Sequence, residues 1–167
     1  MFKSLSMLVF CLLLALAARY VWHTVPTMPD IVAVHFVADG SANGFTSRDN
    51  YLKITLLLNC GLPLFMTLLI STLARVGEGA SQRLARGGQA MSPEAQAAKL
   101  EFLTAHAARL GCVMLLFLSA VHRLVMQANT LSPPQLDSTA LLHTMLALFA
   151  GLALWVGMLM RRFGRAR

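Results

Sequence analysis

LKITLLLNCGLPLFMTLLISTLA, residues 52–74, is an apolar run long enough to cross a lipid bilayer as one helix. A hydrocarbon core of about 30 Å requires roughly 20 such residues. Three further runs of this kind occupy residues 4–25, 110–128 and 141–160. Hydrophobic residues make up 57% of the chain and charged residues only 13%, whereas soluble domains carry about 25% charged residues. The sequence therefore predicts an all-α membrane protein, a single domain of four transmembrane helices.

Small and polar residues recur on one face of the run 52–74. At four-residue spacing it carries Thr55, Asn59, Pro63, Thr67 and Ser71. Residues at this spacing share a helix face, and such faces pack against other helices rather than against lipid. We therefore expect this face to make helix contacts, and Pro63 to kink the helix because it lacks a backbone donor and clashes with the preceding turn.

Basic residues are concentrated at one end of the spans. They lie at Lys3, in the segment 75–109 and in the segment 161–167, whereas the short loops on the opposite side hold only Arg48 and Lys53. By the positive-inside rule, both termini and the loop 75–109 are predicted to be cytoplasmic and the loop 26–51 extracytoplasmic. This orienting role accounts for the net charge of +7, so nucleic acid is not an expected partner.

The loop 26–51 contains strand and turn signals. In the segment 31–36 the odd-numbered and the even-numbered residues are predicted to lie on opposite faces, as in a half-buried strand. The pairs Asp39-Gly40 and Asn43-Gly44 are typical of tight turns. The sequence therefore predicts a short extracytoplasmic hairpin-like loop. The turn also has oxygen ligands at calcium-loop spacing, but Asn50 stands where that loop requires glutamate, so no metal is predicted here.

Ser92-Pro93-Glu94 marks the start of a long helix. The serine is a suitable N-cap, proline suits the first turn, and the acid is favoured by the helix dipole. From there a helix can continue unbroken into the span 110–128, over roughly 36 residues or about 55 Å. We therefore predict a cytoplasmic helical extension of the third transmembrane helix, with His106 as a solvated residue on it. The segment 75–91 before it has no hydrophobic periodicity and is predicted to form a loop.

A group of polar residues is predicted to lie at similar depth in the outer half of the bundle. Its members are Arg19, His23, Asn59, His122, Arg123 and His143. Ionisable groups inside a membrane are costly and usually face the bundle or a water-filled cavity. With His35, Asp39 and Asn43 of the loop above, this group is the candidate site for a lipid, a peptide or a protein partner. In the alternative, the arginines extend to lipid phosphates and the histidines are neutral interfacial side chains.

Enzyme and cofactor motifs are scarce. The three cysteines, Cys11, Cys60 and Cys112, lie inside spans and lack the paired spacings of metal or redox motifs. Three outer histidines suggest haem or metal ligation as an alternative, but no two share a helix at ligand spacing and no acid lies in a span. We therefore expect a non-enzymatic protein without a cofactor. An accessory subunit of a larger complex, joined through the face that begins at Thr55, is the other alternative.

The loop resembles a known extracytoplasmic loop domain of uncharacterised function. The resemblance is carried by Met28-Pro29-Asp30, Val34-His35-Phe36, Asp39-Gly40 and Asn43-Gly44-Phe45 with Ser47. SdpI-like bacterial membrane proteins share this domain, whose pattern has leucine, an acid and lysine where this chain has Met28, Asn43 and Arg48. The resemblance covers residues 26–53 and implies a place in a bacterial inner (plasma) membrane and a role in sensing, immunity or envelope stress. It makes His35, Asp39, Gly40 and Gly44 part of the loop's characteristic structure and implies no catalytic residue.

Overall fold

The computed structural model describes residues 2–84 and 91–164. Its elements are helix α1 (Phe2–Thr24), a 3₁₀ turn (Val25–Thr27), strands β1 (Ile31–Phe36) and β2 (Ala42–Ser47), helix α2 (Arg48–Leu56), a π turn (Leu57–Gly61), and helices α3 (Leu62–Leu84), α4 (Pro93–Ala128) and α5 (Ser138–Phe163). Four helical segments are long and apolar enough to cross a membrane: Leu5–Thr27, Arg48–Gly77, Pro93–Ala128 and Ser138–Phe163. The four predicted apolar helices are thereby confirmed, and they are compatible with a multi-pass membrane protein.

Helix α4 is the central element, because α1, α3 and α5 all pack against it. At Gly111 it lies in close contact with two of them. A Cβ atom added there would lie 2.5 Å from Phe10 Cε2 of α1 and 2.5 Å from Thr67 Oγ1 of α3. Real Cβ atoms do not approach other atoms so closely in a packed interior. The missing side chain of Gly111 is therefore what allows α1, α3 and α4 to meet.

The outward faces of the helices are apolar. Large side chains exposed there include Leu8, Leu12 and Leu16 of α1, Phe65 and Leu68 of α3, and Leu142, Leu146, Phe149 and Leu154 of α5. Helix α5 buries no side chain. Apolar surfaces of this extent are rare on soluble monomers, whereas a hydrocarbon environment accommodates them without cost.

The irregularity predicted at Pro63 takes the form of a π turn just before it. The amide of Leu62 donates to the carbonyl of Leu57, five residues earlier. Proline lacks an amide hydrogen, and in a regular α-helix its ring would clash with the carbonyl four residues before it, that of Asn59. The wider π turn is a common way to accommodate such a local change in an α-helix. It also sets the rotation of the side chains on either side of it.

The predicted small and polar face makes helix contacts within the chain itself. Its buried members, each at most 3% exposed, are Asn59, Pro63, Thr67 and Ser71. The hydroxyl of Thr67 donates to the carbonyl of Ala107 on α4 at 3.5 Å. The inward orientation of this face is confirmed, and α4 covers it. A partner protein therefore does not need to cover it.

Two helix ends lie inside segments that were predicted to be loops. Helix α2 begins at Arg48, because the Ser47 hydroxyl caps it by accepting from the Asn50 amide. Helix α3 continues to Leu84, well into the predicted loop 75–91, because extending an existing helix adds a hydrogen bond for each residue ordered. Residues 85–90 of that loop lie outside the described residues.

Helix α4 has 36 residues and begins at the predicted cap, where the Ser92 hydroxyl accepts from the Ala95 amide. The prediction that His106 is solvated is wrong, because its side chain is only 2% exposed. Its ring stacks on Trp155 at 4.3 Å and on Phe102 at 5.3 Å between centroids. Trp155 Nε1 also donates to the His106 carbonyl at 2.9 Å. Helix α5 runs far enough along α4 to cover this position.

Candidate functional site

The segment between α1 and α2 is a hairpin of two antiparallel strands, β1 and β2. Its register runs from the pair Ile31 and Ser47 to the pair Phe36 and Ala42, with shifts between Ala33 and His35 and between His35 and Phe36. The first shift is a bulge that inserts one extra residue, Val34, in β1 and interrupts the predicted alternation. The prediction of strictly alternating faces is wrong, since the adjacent Val32 and Ala33 are both buried whereas Val34 is 39% exposed.

Arg48 closes the base of the hairpin. Its backbone amide donates to the Asp30 carbonyl at 2.9 Å, and its guanidinium donates to the Met28 carbonyl at 2.8 Å. The guanidinium also pairs with the Asp30 carboxylate at 2.9 Å. Because the Asp30 side chain is largely exposed, that ion pair adds little stability. The bonds to backbone carbonyls are the ones that position Arg48 and hence the start of α2.

The loop between α4 and α5, residues 129–137, lies along the tip of the hairpin. The Leu136 amide donates to the Gly40 carbonyl at 2.8 Å, and Gln135 Nε2 donates to the Asp39 carbonyl at 3.0 Å. Gly40 has a φ of +88°, and a Cβ atom there would run into the Leu136 carbonyl. We call the hairpin 31–47 together with the loop 129–137 the cap, because the two segments form one hydrogen-bonded unit.

Asn129 joins the cap to α4. Its side-chain oxygen accepts from the Ala33 amide at 2.8 Å, and its Nδ2 donates to the Ala33 carbonyl at 3.0 Å. Nδ2 also donates to the Val125 carbonyl of α4 at 2.8 Å. One buried carboxamide thus pairs with β1 as a neighbouring strand would. The cap is therefore held to the end of the bundle by buried polar contacts as well as by its apolar residues.

The loop residues predicted to bind a partner have local structural contacts on the exposed surface of the cap. Asp39 accepts from the Ser41 amide at 2.8 Å and from the Ser41 hydroxyl at 2.7 Å. These two bonds lower the pKa of the Asp39 carboxyl from its usual value. The ring Nδ1 of His35 is paired with Asn43 Oδ1 across the strands. These contacts stabilise the tip and the strand pairing of the hairpin.

Below the cap, His122 lies at the centre of a hydrogen-bond chain that joins three helices. Its Nδ1 is 2.8 Å from the Tyr51 hydroxyl of α2, and its Nε2 is 2.9 Å from the Thr24 hydroxyl of α1. Thr24 donates its own hydrogen to the Tyr20 carbonyl at 2.7 Å, so it accepts from His122 Nε2. Nδ1 then accepts from Tyr51. His122 is buried, and this arrangement satisfies both nitrogens of a neutral imidazole.

A cavity of about 290 Å³ lies beside this chain and directly under the hairpin. Its apolar walls are formed by Val34, Ile54, Leu58, Leu118, Val121 and Val125, and its polar groups belong to Thr46, Tyr51, Thr55, Asn59 and His122. Val34 and Thr46 come from the hairpin and roof it. Ile54 and Leu58 are 52% and 47% exposed, so the rim at α2 is apolar. A mostly apolar cavity with a few convergent polar groups is the usual form of a small-molecule site.

Asn59 is the unusual member of the cavity wall. It lies in the π turn and is 2% exposed. Its Oδ1 accepts from the Ser119 hydroxyl of α4 at 3.2 Å, but its Nδ2 has no partner among the described residues. A buried donor left unsatisfied costs about 1–3 kcal/mol. Turns of the π type are frequent at functional sites, and the unsatisfied amide lies in such a turn.

The structure brings only two of the six predicted cluster residues together at this cavity, Asn59 and His122. Arg19, His23 and Arg123 are exposed, and no hydrogen bond or ion pair links them within residues 2–84 and 91–164. The structure therefore does not gather all six predicted residues around this cavity. Near Arg19 and His23 the packed residues of α1 are Ala17 and Val21, and a residue two positions further lies about 200° around a helix.

The remaining cluster residue, His143, lies elsewhere. It is exposed on α5 and lines a separate cavity of about 450 Å³ between α4 and α5. That cavity is bordered by small residues such as Ala120, Ala147 and Gly151. The histidines of the predicted group thus occupy different faces of the bundle. The described residues contain no group of three or more His, Cys, Asp or Glu side chains arranged to hold a metal ion.

Three contact residues of this region were absent from the predicted site. Tyr51 and Thr24 are the partners of His122, and Asn129 joins the cap to α4. In the sequence, Thr24 precedes the hairpin and Tyr51 follows it. This position beside the hairpin is the signal by which the two residues could have been predicted as part of the site. Their distances along the chain from His122, 71 and 98 residues, conceal the contact.

Comparison with protein-family models, curated proteins and solved structures finds no match to this chain. The chemistry that the cavity can support therefore rests on its own side chains.

Proposed function

We propose that this protein is a non-enzymatic multi-pass membrane protein that binds a lipid-like ligand in the cavity beneath its cap. The observation that carries the proposal is the cavity of about 290 Å³, which has apolar walls and is roofed by the hairpin. Of the ligand types that the sequence suggests, a lipid fits these walls best. A peptide would bring backbone polar groups that apolar walls leave unsatisfied.

The route into the cavity supports the same ligand type. Ile54 and Leu58 line it and are about half exposed on α2. These residues belong to a segment apolar enough to lie in a membrane, so the rim faces hydrocarbon in the proposed orientation. A ligand dissolved in the bilayer can then enter sideways. Its apolar part exchanges one apolar environment for another, and the polar groups of the cavity provide selectivity.

The orientation that we propose puts the cap outside the cytoplasm. It is supported by the basic residues, which flank the opposite ends of the helices at Arg75, Lys99, Arg109, Arg161 and Arg162. In a bacterial inner membrane both termini are then cytoplasmic. The resemblance of the loop to that of SdpI-like proteins agrees with this placement. It supports a role in sensing, immunity or envelope stress, in which ligand occupancy is read through the cap.

Filling the cavity is expected to remove ligand binding. Val121 lines the cavity from α4, and Val121→Trp adds a large side chain into that space. We expect affinity for dioctanoyl phosphatidylglycerol to fall roughly tenfold or more, equivalent to about 1.4 kcal/mol per factor of ten. The measurement is native mass spectrometry of delipidated protein titrated with this lipid in detergent micelles.

The matched control is Leu154→Trp, since Leu154 is 71% exposed on α5. This variant adds the same side chain to the outer surface and should bind like the wild type. Equal binding by wild type and Val121→Trp would show that the lipid does not occupy this cavity. The cap would then remain only as a surface for a peptide or protein.

A second candidate function is an accessory subunit of a larger membrane complex. It is favoured by α5, which packs mainly against α4 and buries no side chain. Mild extraction followed by native mass spectrometry separates the two functions. A stoichiometric assembly with another protein supports the subunit, whereas a monomer or dimer that retains a small ligand supports the binding protein.

A further inference from the structure

We propose that the cavity ligand is an amphiphile whose apolar body carries a neutral carbonyl oxygen, and that Asn59 Nδ2 donates a hydrogen bond to this oxygen. This inference rests on the proposed function and specifies the chemical class that the cavity selects. The class includes the ester carbonyls of a diacyl lipid and the ring carbonyls of an isoprenoid quinone.

The buried side-chain amide of Asn59 lacks a hydrogen-bond partner for its Nδ2 among the described residues. Four buried side-chain nitrogen or oxygen atoms lack a partner within the described residues: Asn59 Nδ2, Ser71 Oγ and both ring nitrogens of His106. Of these three residues, only Asn59 lines the cavity under the cap. Buried polar groups in proteins normally have a partner. A ligand in the cavity is the natural partner for this amide.

Two neighbouring polar side chains of the cavity, Tyr51 and His122, already have hydrogen-bond partners. Tyr51 donates to His122, and His122 donates to Thr24. Ser119 engages the oxygen of the Asn59 carboxamide, so its nitrogen is the atom that remains available. The cavity therefore offers a buried N–H donor, and the complementary ligand atom is an oxygen acceptor.

The lining of the cavity has no permanently charged side chain. None of the residues lining the cavity is an arginine, lysine, aspartate or glutamate. A carboxylate or phosphate inside it would be an uncompensated ion in an apolar space, which is far more costly than a neutral carbonyl. The part of the ligand next to Asn59 is therefore neutral. A charged headgroup, where present, remains outside the rim.

The experiment compares probes that differ only at the carbonyl. Delipidated protein in detergent micelles is titrated by native mass spectrometry with dioctanoyl phosphatidylglycerol and with its diether analogue, and separately with a decyl-substituted benzoquinone and with decylbenzene. Wild type should bind at least one carbonyl probe about tenfold more tightly than its partner without a carbonyl. The probe pair that shows the preference identifies the type of ligand, a diacyl lipid or a quinone.

Asn59→Leu replaces the donor by an apolar side chain of similar volume. Binding of the carbonyl probe should weaken about tenfold, while binding of its partner probe should stay unchanged. The preference for the carbonyl should therefore disappear. Ser119→Ala is the matched control: it removes the partner of Oδ1, keeps Nδ2, and should retain the preference. The comparison of ester and ether probes uses wild type alone, so it tests the inference even where Asn59→Leu does not fold.

Failure of this inference and failure of the proposed function give different results. Saturable binding that Val121→Trp removes, with no preference for a carbonyl in wild type, would overturn this inference and leave the proposed function intact. Absence of saturable binding for all four probes would overturn both. A probe that binds more tightly without its carbonyl would likewise contradict the assigned role of Asn59.

Discussion

Substitution of Gly111 by leucine is expected to destabilise the bundle by about 3 kcal/mol or more, at the upper end of what overpacking costs. The Cβ atom alone would lie 2.5 Å from atoms of both Phe10 and Thr67. The remaining three carbons of leucine would add more volume where Phe10 of α1 and Thr67 of α3 already contact α4. One of the two contacts must therefore open.

The measurement is unfolding of purified protein in detergent, followed by circular dichroism as denaturant or temperature increases. Gly157→Leu is a matched control, because a Cβ atom on that α5 glycine meets nothing within 4 Å. It should unfold like the wild type. Adding Phe10→Ala to Gly111→Leu should restore part of the stability, as expected for residues in direct contact. Equal stability of Gly111→Leu and Gly157→Leu would contradict the packing described for α4.

Replacement of His122 by phenylalanine is expected to cost roughly 2–4 kcal/mol. The ring fits the same space, but Tyr51 loses its acceptor and Thr24 loses its donor, and each unsatisfied buried group costs about 1–3 kcal/mol. His122 Nδ1 and Nε2 are 2.8 and 2.9 Å from these partners. The loss affects the contact between α1, α2 and α4 just below the cap.

His143→Phe is the control for this substitution. His143 is exposed on α5, where such changes are normally within about 0.5 kcal/mol. The same unfolding measurement should separate the two variants clearly. A His122→Phe protein as stable as the His143→Phe protein would show that the chain from Tyr51 to Thr24 does not stabilise the bundle.

The helices of this protein are predictable because their signals are local. Four apolar runs predict four helices, and Ser92 with Pro93 predicts the start of α4 at the observed residue. The four-residue spacing from Thr55 to Ser71 predicts the buried face of α2 and α3. Each of these inferences depends on residues within a few turns of one another, and the helical period relates them directly.

The candidate site is less predictable because it depends on the rotation and pairing of separate helices. All faces of α1 are rich in leucine, so the sequence does not reveal that Arg19 and His23 lie outside its contact face. Likewise, the pairing of Asn129 with Ala33 joins residues 96 positions apart. The bulge at Val34 and the π turn around Asn59 are changes of one residue in the local geometry. Both change which side chains line the cavity without changing the periodic pattern.

We expect a bilayer component to occupy the cavity beneath the cap. Photolabelling in lipid nanodiscs tests this occupancy, with a diester phospholipid that bears a diazirine on one acyl chain and with mass-spectrometric location of the label. Labels on cavity residues such as Leu118 and Val125 should saturate as the mole fraction of the probe rises, and Val121→Trp should remove them. Labels on Leu154, exposed on α5, should increase linearly. Linear labelling at Leu118, unchanged by Val121→Trp, would contradict the claim.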